Sequence, residues 1–194
     1  MNKGKKTIID GINFYYHLRG GGLVAETATV AETAYIGKKA KVFDNAKVFD
    51  NAVISDYAEI SGNAKVFGNA EVTDNAKISG DANIFDNAKV FGNVKISGWA
   101  KVYGDAEISG WAKVSGDALF HDNIKLSGDV NIFGNADISD YAEISGNAIV
   151  CDNAIVCDNA RVFGDVEISG NSLISKNEII SNMKIDWSKF EISS

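Results

Sequence analysis

The sequence predicts an all-β fold, a solenoid of short parallel strands wound into a triangular prism with about 18 residues per coil and about eight coils. Three observations predict it. From Ala28 to Asn177 the chain runs through 25 consecutive hexads of the form A-x-[VI]-x-[GD]-[ND] without an insertion or a deletion, as in Ala64-Lys65-Val66-Phe67-Gly68-Asn69. Within a hexad, positions one and three are apolar and position two is polar or charged, which is the two-residue alternation of a strand. Proline is absent and glycine is common, which suits a backbone whose N–H groups nearly all join a ladder.

Each part of the hexad has a structural reason. Position one is Ala in 20 of the 25 hexads, the exceptions being Val94, Ile124, Val130, Val166 and Ser172. Position three is Val, Ile or Leu except at Phe120. One small and one large inward residue per strand describe a narrow interior of stacked rungs. Positions five and six, largely Gly or Asp and then mostly Asn or Asp, tolerate left-handed or bridge conformations and turn the chain. A strand of about four residues followed by a corner, repeated, is a solenoid. Two sides of such strands cannot enclose an Ala/Val interior, whereas three close into a prism. At ~4.8 Å per strand spacing the rod is roughly 40 Å long.

Three segments follow in order. Residues 1–21 depart from the hexad and form an N-terminal cap, because both ends of a parallel stack expose unpaired strands. Thr7-Ile8-Ile9-Asp10-Gly11-Ile12-Asn13-Phe14 carries Asp-Gly between β-rich runs, a hairpin signal. Phe14, Tyr15, Tyr16 and Leu18 are expected to cover the first rung. Residues 22–183 are the β-helix. Residues 184–194 form the C-terminal cap, with Ile185, Trp187, Phe190 and Ile192 as its apolar side chains.

Composition excludes several classes. A formal net charge of −7 argues against a nucleic-acid footprint, which needs a basic face. No apolar run approaches the ~20 residues of a membrane helix, and Lys3, Lys5 and Lys6 precede no apolar stretch of signal-peptide type. The expectation is a soluble protein of the cytoplasm or of a virion. Cys151 and Cys157 hold the same slot of adjacent hexads, read as small soft side chains; a metal site needs more ligands than this pair supplies, so none is expected.

The slots [VI]-x-[GD]-[ND]-A-x, together with Gly20-Gly21-Gly22-Leu23-Val24-Ala25-Glu26-Thr27-Ala28 ahead of them, resemble the hexapeptide repeat of the left-handed parallel β-helix superfamily. The likeness covers residues 22–183 and is greatest to bacterial and phage proteins built almost wholly of A-x-V-x-G-N repeats. It implies the left hand, which spacing alone does not, since parallel crossovers are generally right-handed. The superfamily holds acyl- and nucleotidyltransferases and some metal-dependent carbonic anhydrases, usually trimeric, with sites in the clefts between prisms. Those enzymes carry a loop or an extra domain that builds the site, and this chain has neither. Fold membership alone licenses no activity.

With 18 residues per coil, outward residues 18 apart stack in columns. One face, the charge face, carries Glu71, Lys89, Glu107, Lys125, Glu143 and Arg161, alternating in sign and expected to be solvated. A second, the aromatic face, carries Phe49, Phe67, Phe85, Tyr103 and His121 beside Lys47, Lys65 and Lys101, and farther along Leu119, Ile155 and Leu173. An outward aromatic stripe is read as an interface, with a homotrimer as the first expectation and a protein partner as the other. The third, the serine face, carries Ser61, Ser79, Ser97 and Ser115 beside Glu59, Lys77, Lys95 and Lys113. Ile149, Cys151, Ile155 and Cys157 are read as an outward apolar patch and further interface. Corner Asn and Asp columns, broken by Tyr57, Trp99, Trp111 and Tyr141, are expected to stack rung on rung.

The functional expectation is a non-catalytic scaffold that presents rigid faces, without cofactor. The alternative is an acyltransferase of acetyl-CoA type, for which the resemblance implies a histidine base in a cleft between subunits. His121, with Asp122 beside it and Asp137 one rung on, is the one candidate; His17 lies in the cap. A carbonic-anhydrase zinc site takes three histidines, and the chain has two. A binder of small ligands in the same clefts is the third reading.

Overall fold

The protein is described here by a computed structural model covering residues 4–181, 184 and 185. Among these residues there is no helix; the fold is a parallel β-solenoid of about nine turns with about 18 residues each. Three sheets form the three sides. The serine face begins at β3 (Leu23–Ala25) and continues through Lys41–Val42, Glu59–Ile60 and every third strand to Lys184–Ile185. The aromatic face runs from Thr29–Val30 to Leu173–Ile174, and the charge face from Tyr35–Ile36 to Ile179–Ser181. The count of about eight coils drawn from the hexads is therefore one short, because strands outside the strict repeat extend the stack at both ends.

Register is the expected 18-residue offset: Lys65 pairs with Asn83, and Glu71 with Lys89, in parallel. Most rungs pair over two residues rather than about four, as at Lys65–Val66, because the corner begins two residues later. The ladder nevertheless reaches into the corner. Lys65, Phe67 and Asn69 donate their N–H groups to the carbonyls of Ala82, Ile84 and Asp86 at 2.9, 3.0 and 2.7 Å. The interior is as the hexad predicts: positions one and three of the repeat are buried from rung to rung, with Phe120 fully enclosed. Each buried Val or Ile contributes about 1.5–3 kcal/mol. Ser172, the one polar residue at position one, is buried with its hydroxyl donating to the Ser169 carbonyl.

Corners take φ values that L-residues rarely adopt. Where Asp stands φ is near 55–61°, as at Asp50 and Asp122, and the carboxylate of many accepts the N–H of the residue 18 farther on. Asp50 Oδ2 receives the Gly68 N–H at 3.0 Å, and Asp74 Oδ2 that of Gly92 at 2.9 Å. Gly98 has φ 70°, and a Cβ there would lie 2.7 Å from the backbone N and O of Gly116. Asn ladders form as expected, with Asn69 Nδ2 donating to Asn87 Oδ1 at 3.2 Å and Asn87 Nδ2 to Asp105 Oδ1 at 3.0 Å.

The N-terminal cap is the predicted hairpin. β1 (Lys6–Ile9) and β2 (Ile12–Tyr16) pair antiparallel around Asp10 (φ 50°) and Gly11 (φ 78°). β2 then pairs antiparallel with β3, so the hairpin continues the serine face beyond its first parallel rung. Phe14 and Tyr15 are buried, whereas Tyr16 and Leu18, expected beside them, are exposed. Past β2, the chain crosses the open ends of the other two sheets. His17 Nε2 lies 3.2 Å from the Ala31 carbonyl, and Ile36 N–H donates to the Arg19 carbonyl at 3.0 Å. His17 is thus a buried capping residue. Of the C-terminal cap, Ile185 is described only as backbone, and Trp187, Phe190 and Ile192 lie outside the described residues.

Candidate binding face

The three faces share one backbone and differ only in their outward columns. On the charge face the alternating column is in register, and Arg161 Nε meets Glu143 Oε2 at 3.0 Å. That pair is the one ion pair of the column among the described residues, in keeping with a solvated surface. On the serine face Glu59 lies between Lys41 (3.8 Å) and Lys77 (2.9 Å), and Lys113 reaches Asp129 at 3.8 Å.

The aromatic face holds a continuous ring stack. Phe67–Phe85, Phe85–Tyr103 and Tyr103–His121 have centroids 4.9, 4.7 and 5.4 Å apart and are parallel to within 1, 7 and 12°. The strand spacing dictates these distances, so each ring covers its neighbours and the stripe, Phe49 included, is half-buried rather than exposed. What the face offers outward is ring edges.

His121 ends the stack between two carboxylates. Nδ1 lies 2.6 Å from Asp122 Oδ2, and Nε2 lies 3.3 Å from Asp137 Oδ1. The second contact has ion-pair distance but not hydrogen-bond geometry, and Asp137 Oδ1 is buried without a hydrogen-bond partner. A carboxylate on Nδ1 alone is how a general base is oriented. The second carboxylate occupies the side from which a substrate would approach Nε2.

The expected patch of Ile149, Cys151, Ile155 and Cys157 is divided by a corner. Ile149 and Cys151 belong to the serine face, and Ile155 and Cys157 to the aromatic face. Cys151 is buried although it holds the outward position four, so it offers little surface to a partner. Ile155 and, one rung on, Leu173 are exposed on the aromatic face. Burial raises both thiol pKa values. Asp152 and Glu167 add to this at Cys151, as do Asp158, Asp140, Asp137 and Glu178 at Cys157. The Asp140 and Asp158 carboxylates lie close to the Cys157 sulfur, but each already accepts a backbone N–H, from Asp158 at 3.1 Å and Lys176 at 2.8 Å.

Trp99 is one of the four aromatics that break the corner columns of Asn and Asp. It replaces Asn or Asp in the column Asn45, Asn63, Asp81, Trp99, Asp117, at the edge where the serine face turns into the aromatic face. It is 64% exposed, and a hollow opens on either side of it along the rod. One, about 370 Å³, is lined by Asn63, Lys65, Asp81 and Trp99 among others; the second, about 410 Å³, by Trp99, Lys101, Asp117 and Leu119 with the shared Asn83. The signal was available in the column, where a large apolar residue stands in a polar slot.

Compared with known proteins, the chain matches no family model and no curated protein. No helix among the described residues is long and apolar enough to cross a membrane.

Proposed function

We propose that the protein is a non-catalytic β-helical scaffold of the hexapeptide-repeat kind that presents its aromatic face to a binding partner. The observation that carries this reading is the contrast between an uninterrupted stack of rungs, with no inserted loop from Leu23 to Ser181, and outward columns that differ sharply from face to face. Lys47, Lys65 and Lys101, the grooves at Trp99 and the exposed Ile155 and Leu173 all lie on or beside one sheet. The acetyl-CoA-type acyltransferase alternative draws its support from His121, whose two nitrogens both face carboxylates. Its test is incubation with acetyl-CoA: the scaffold reading expects neither binding nor acetyl transfer. Binding that is lost in His121→Ala would contradict it.

A specific observation favours self-association as the second reading. Ile155 and Leu173 form an exposed apolar column on neighbouring rungs, of the sort a homotrimer would cover. Light scattering on wild type and Ile155→Lys/Leu173→Lys separates the two readings. A trimer that the variant dissolves supports self-association, and a monomer leaves the face for another molecule.

A further inference from the structure

We propose that the groove beside Trp99 binds a linear acidic glycan of about four sugar units, laid parallel to the rod. This deepens the scaffold reading and rests on it, by naming the partner of the same face.

Trp99 is costly where it stands. The corner column is otherwise polar, and Asn63 Nδ2 donates to Asp81 Oδ1 at 3.1 Å one rung before the tryptophan. Farther along, Asn135 donates to Asn153 at 2.9 Å and Asn153 to Asn171 at 3.1 Å. Trp99 interrupts that amide ladder and leaves most of an indole in water. The interior gains nothing from it. An exposed indole is instead the flat apolar surface on which the C–H face of a pyranose ring stacks.

The two hollows that meet at Trp99 form one shallow trough between the corner column and the outer strand column. From Asn45 to Asp117 it spans four strand spacings, or roughly 19 Å. An equatorially linked pyranose advances along its chain by about one such spacing, so successive sugars keep step with successive rungs. Asn63, Asp81 and Asp117 offer the amide and carboxylate groups that bind sugar hydroxyls. Lys47, Lys65 and Lys101 line the trough and have no ion pair among the described residues, on a chain of net charge −7. Unpaired cations on an acidic protein match an acidic ligand.

A single-stranded nucleic acid fits less well. Its bases need free ring faces, and the Phe67–Phe85–Tyr103 rings spend theirs on one another.

The test is titration of the full chain with tetramannuronic acid, whose β-1,4 links are equatorial at both ends, followed by calorimetry and tryptophan emission. Saturable binding is expected, weakened about tenfold or more in Trp99→Ala and in Lys65→Gln/Lys101→Gln and unchanged in Trp111→Ala. Trp111 is 63% exposed on a different edge, so it controls for exposed indole in general. No saturable binding, or full binding by Trp99→Ala of unchanged circular dichroism, overturns the proposal. Equal binding of cellotetraose, insensitive to the lysine variant, overturns its acidic part. Tighter binding of an eight-residue oligothymidylate through Trp99 replaces the glycan by a nucleic acid. Mass spectrometry of the recovered glycan separates the two layers: a shortened or modified chain contradicts the non-catalytic scaffold while leaving the groove. Absence of binding removes the groove and leaves the scaffold.

Discussion

The aromatic and charge faces are built from the same hexad on the same interior, yet they offer different chemistry. On the charge face, neighbouring rungs present Glu71, Lys89, Glu107 and Lys125, long solvated side chains that alternate in sign. On the aromatic face, rings at 4.7–5.4 Å shield one another, while lysines and Trp99 border a trough. The difference teaches that inward positions one and three hold the coil, whereas outward positions two, four and six are free to carry function. Ile84 under the aromatic face and Ile108 under the charge face are equally buried although their outward neighbours share nothing.

The largest effect tests that common interior. Ile84→Ala and Ile108→Ala should each lose about 2–5 kcal/mol in urea melts. Similar losses sharpen the comparison, and a loss several-fold larger on one face breaks it. Next come the outward columns themselves. Phe85→Ala, removing a half-buried ring between Phe67 and Tyr103, should cost about 1.5–3 kcal/mol, against less than about 0.5 kcal/mol for Lys89→Ala. Equal costs would mean that the stack adds nothing to the ladder.

At the corners, Asp74→Ala loses both the bond to Gly92 N–H and an easy positive φ, at about 1–2 kcal/mol. Asp74→Gly keeps the backbone conformation and should cost less, as thermal melts of the pair will report. Smaller again, Glu107→Lys places like charges on three neighbouring rungs of the charge face. About 0.5–1 kcal/mol should be lost at low salt and partly regained in high salt.

The smallest effect concerns the thiols. Burial and nearby carboxylates raise the Cys151 and Cys157 pKa values, so the folded chain holds these protons longer than the unfolded chain. Their contribution is fully present below the unfolded thiol pKa and is lost as pH rises through the higher folded value. Stability should therefore dip in alkali, and a Cys151→Ser/Cys157→Ser variant should lack that part of the dip.

Much of the fold was legible because its determinants are local and repeated. Ala at position one and Val or Ile at position three fix the inward face, Gly or Asp at position five fixes the turn, and 25 unbroken hexads fix the register. The hairpin at Asp10-Gly11 followed from turn chemistry. The coil count fell short because Leu23–Ala25 and Ile179–Ser181 pair in the stack without keeping the full hexad. Ile149 with Cys151 and Ile155 with Cys157 fall on two faces, as consecutive hexads must, whereas the burial of Cys151 at an outward slot is not contained in the hexad pattern. The bond from Asp50 to Gly68 and the trough at Trp99 depend on side-chain reach across rungs, which a slot-by-slot reading of a hexad does not contain.

The central claim is that the aromatic face, rather than the charge face, carries the binding function, and lysine-reactivity footprinting tests it most directly. The full chain is acetylated briefly with and without tetramannuronic acid, and each lysine is read by mass spectrometry. The account predicts protection of Lys47, Lys65 and Lys101, with Lys89 and Lys125 unchanged. Protection centred on Lys89 and Lys125, or spread evenly over all three faces, would contradict it.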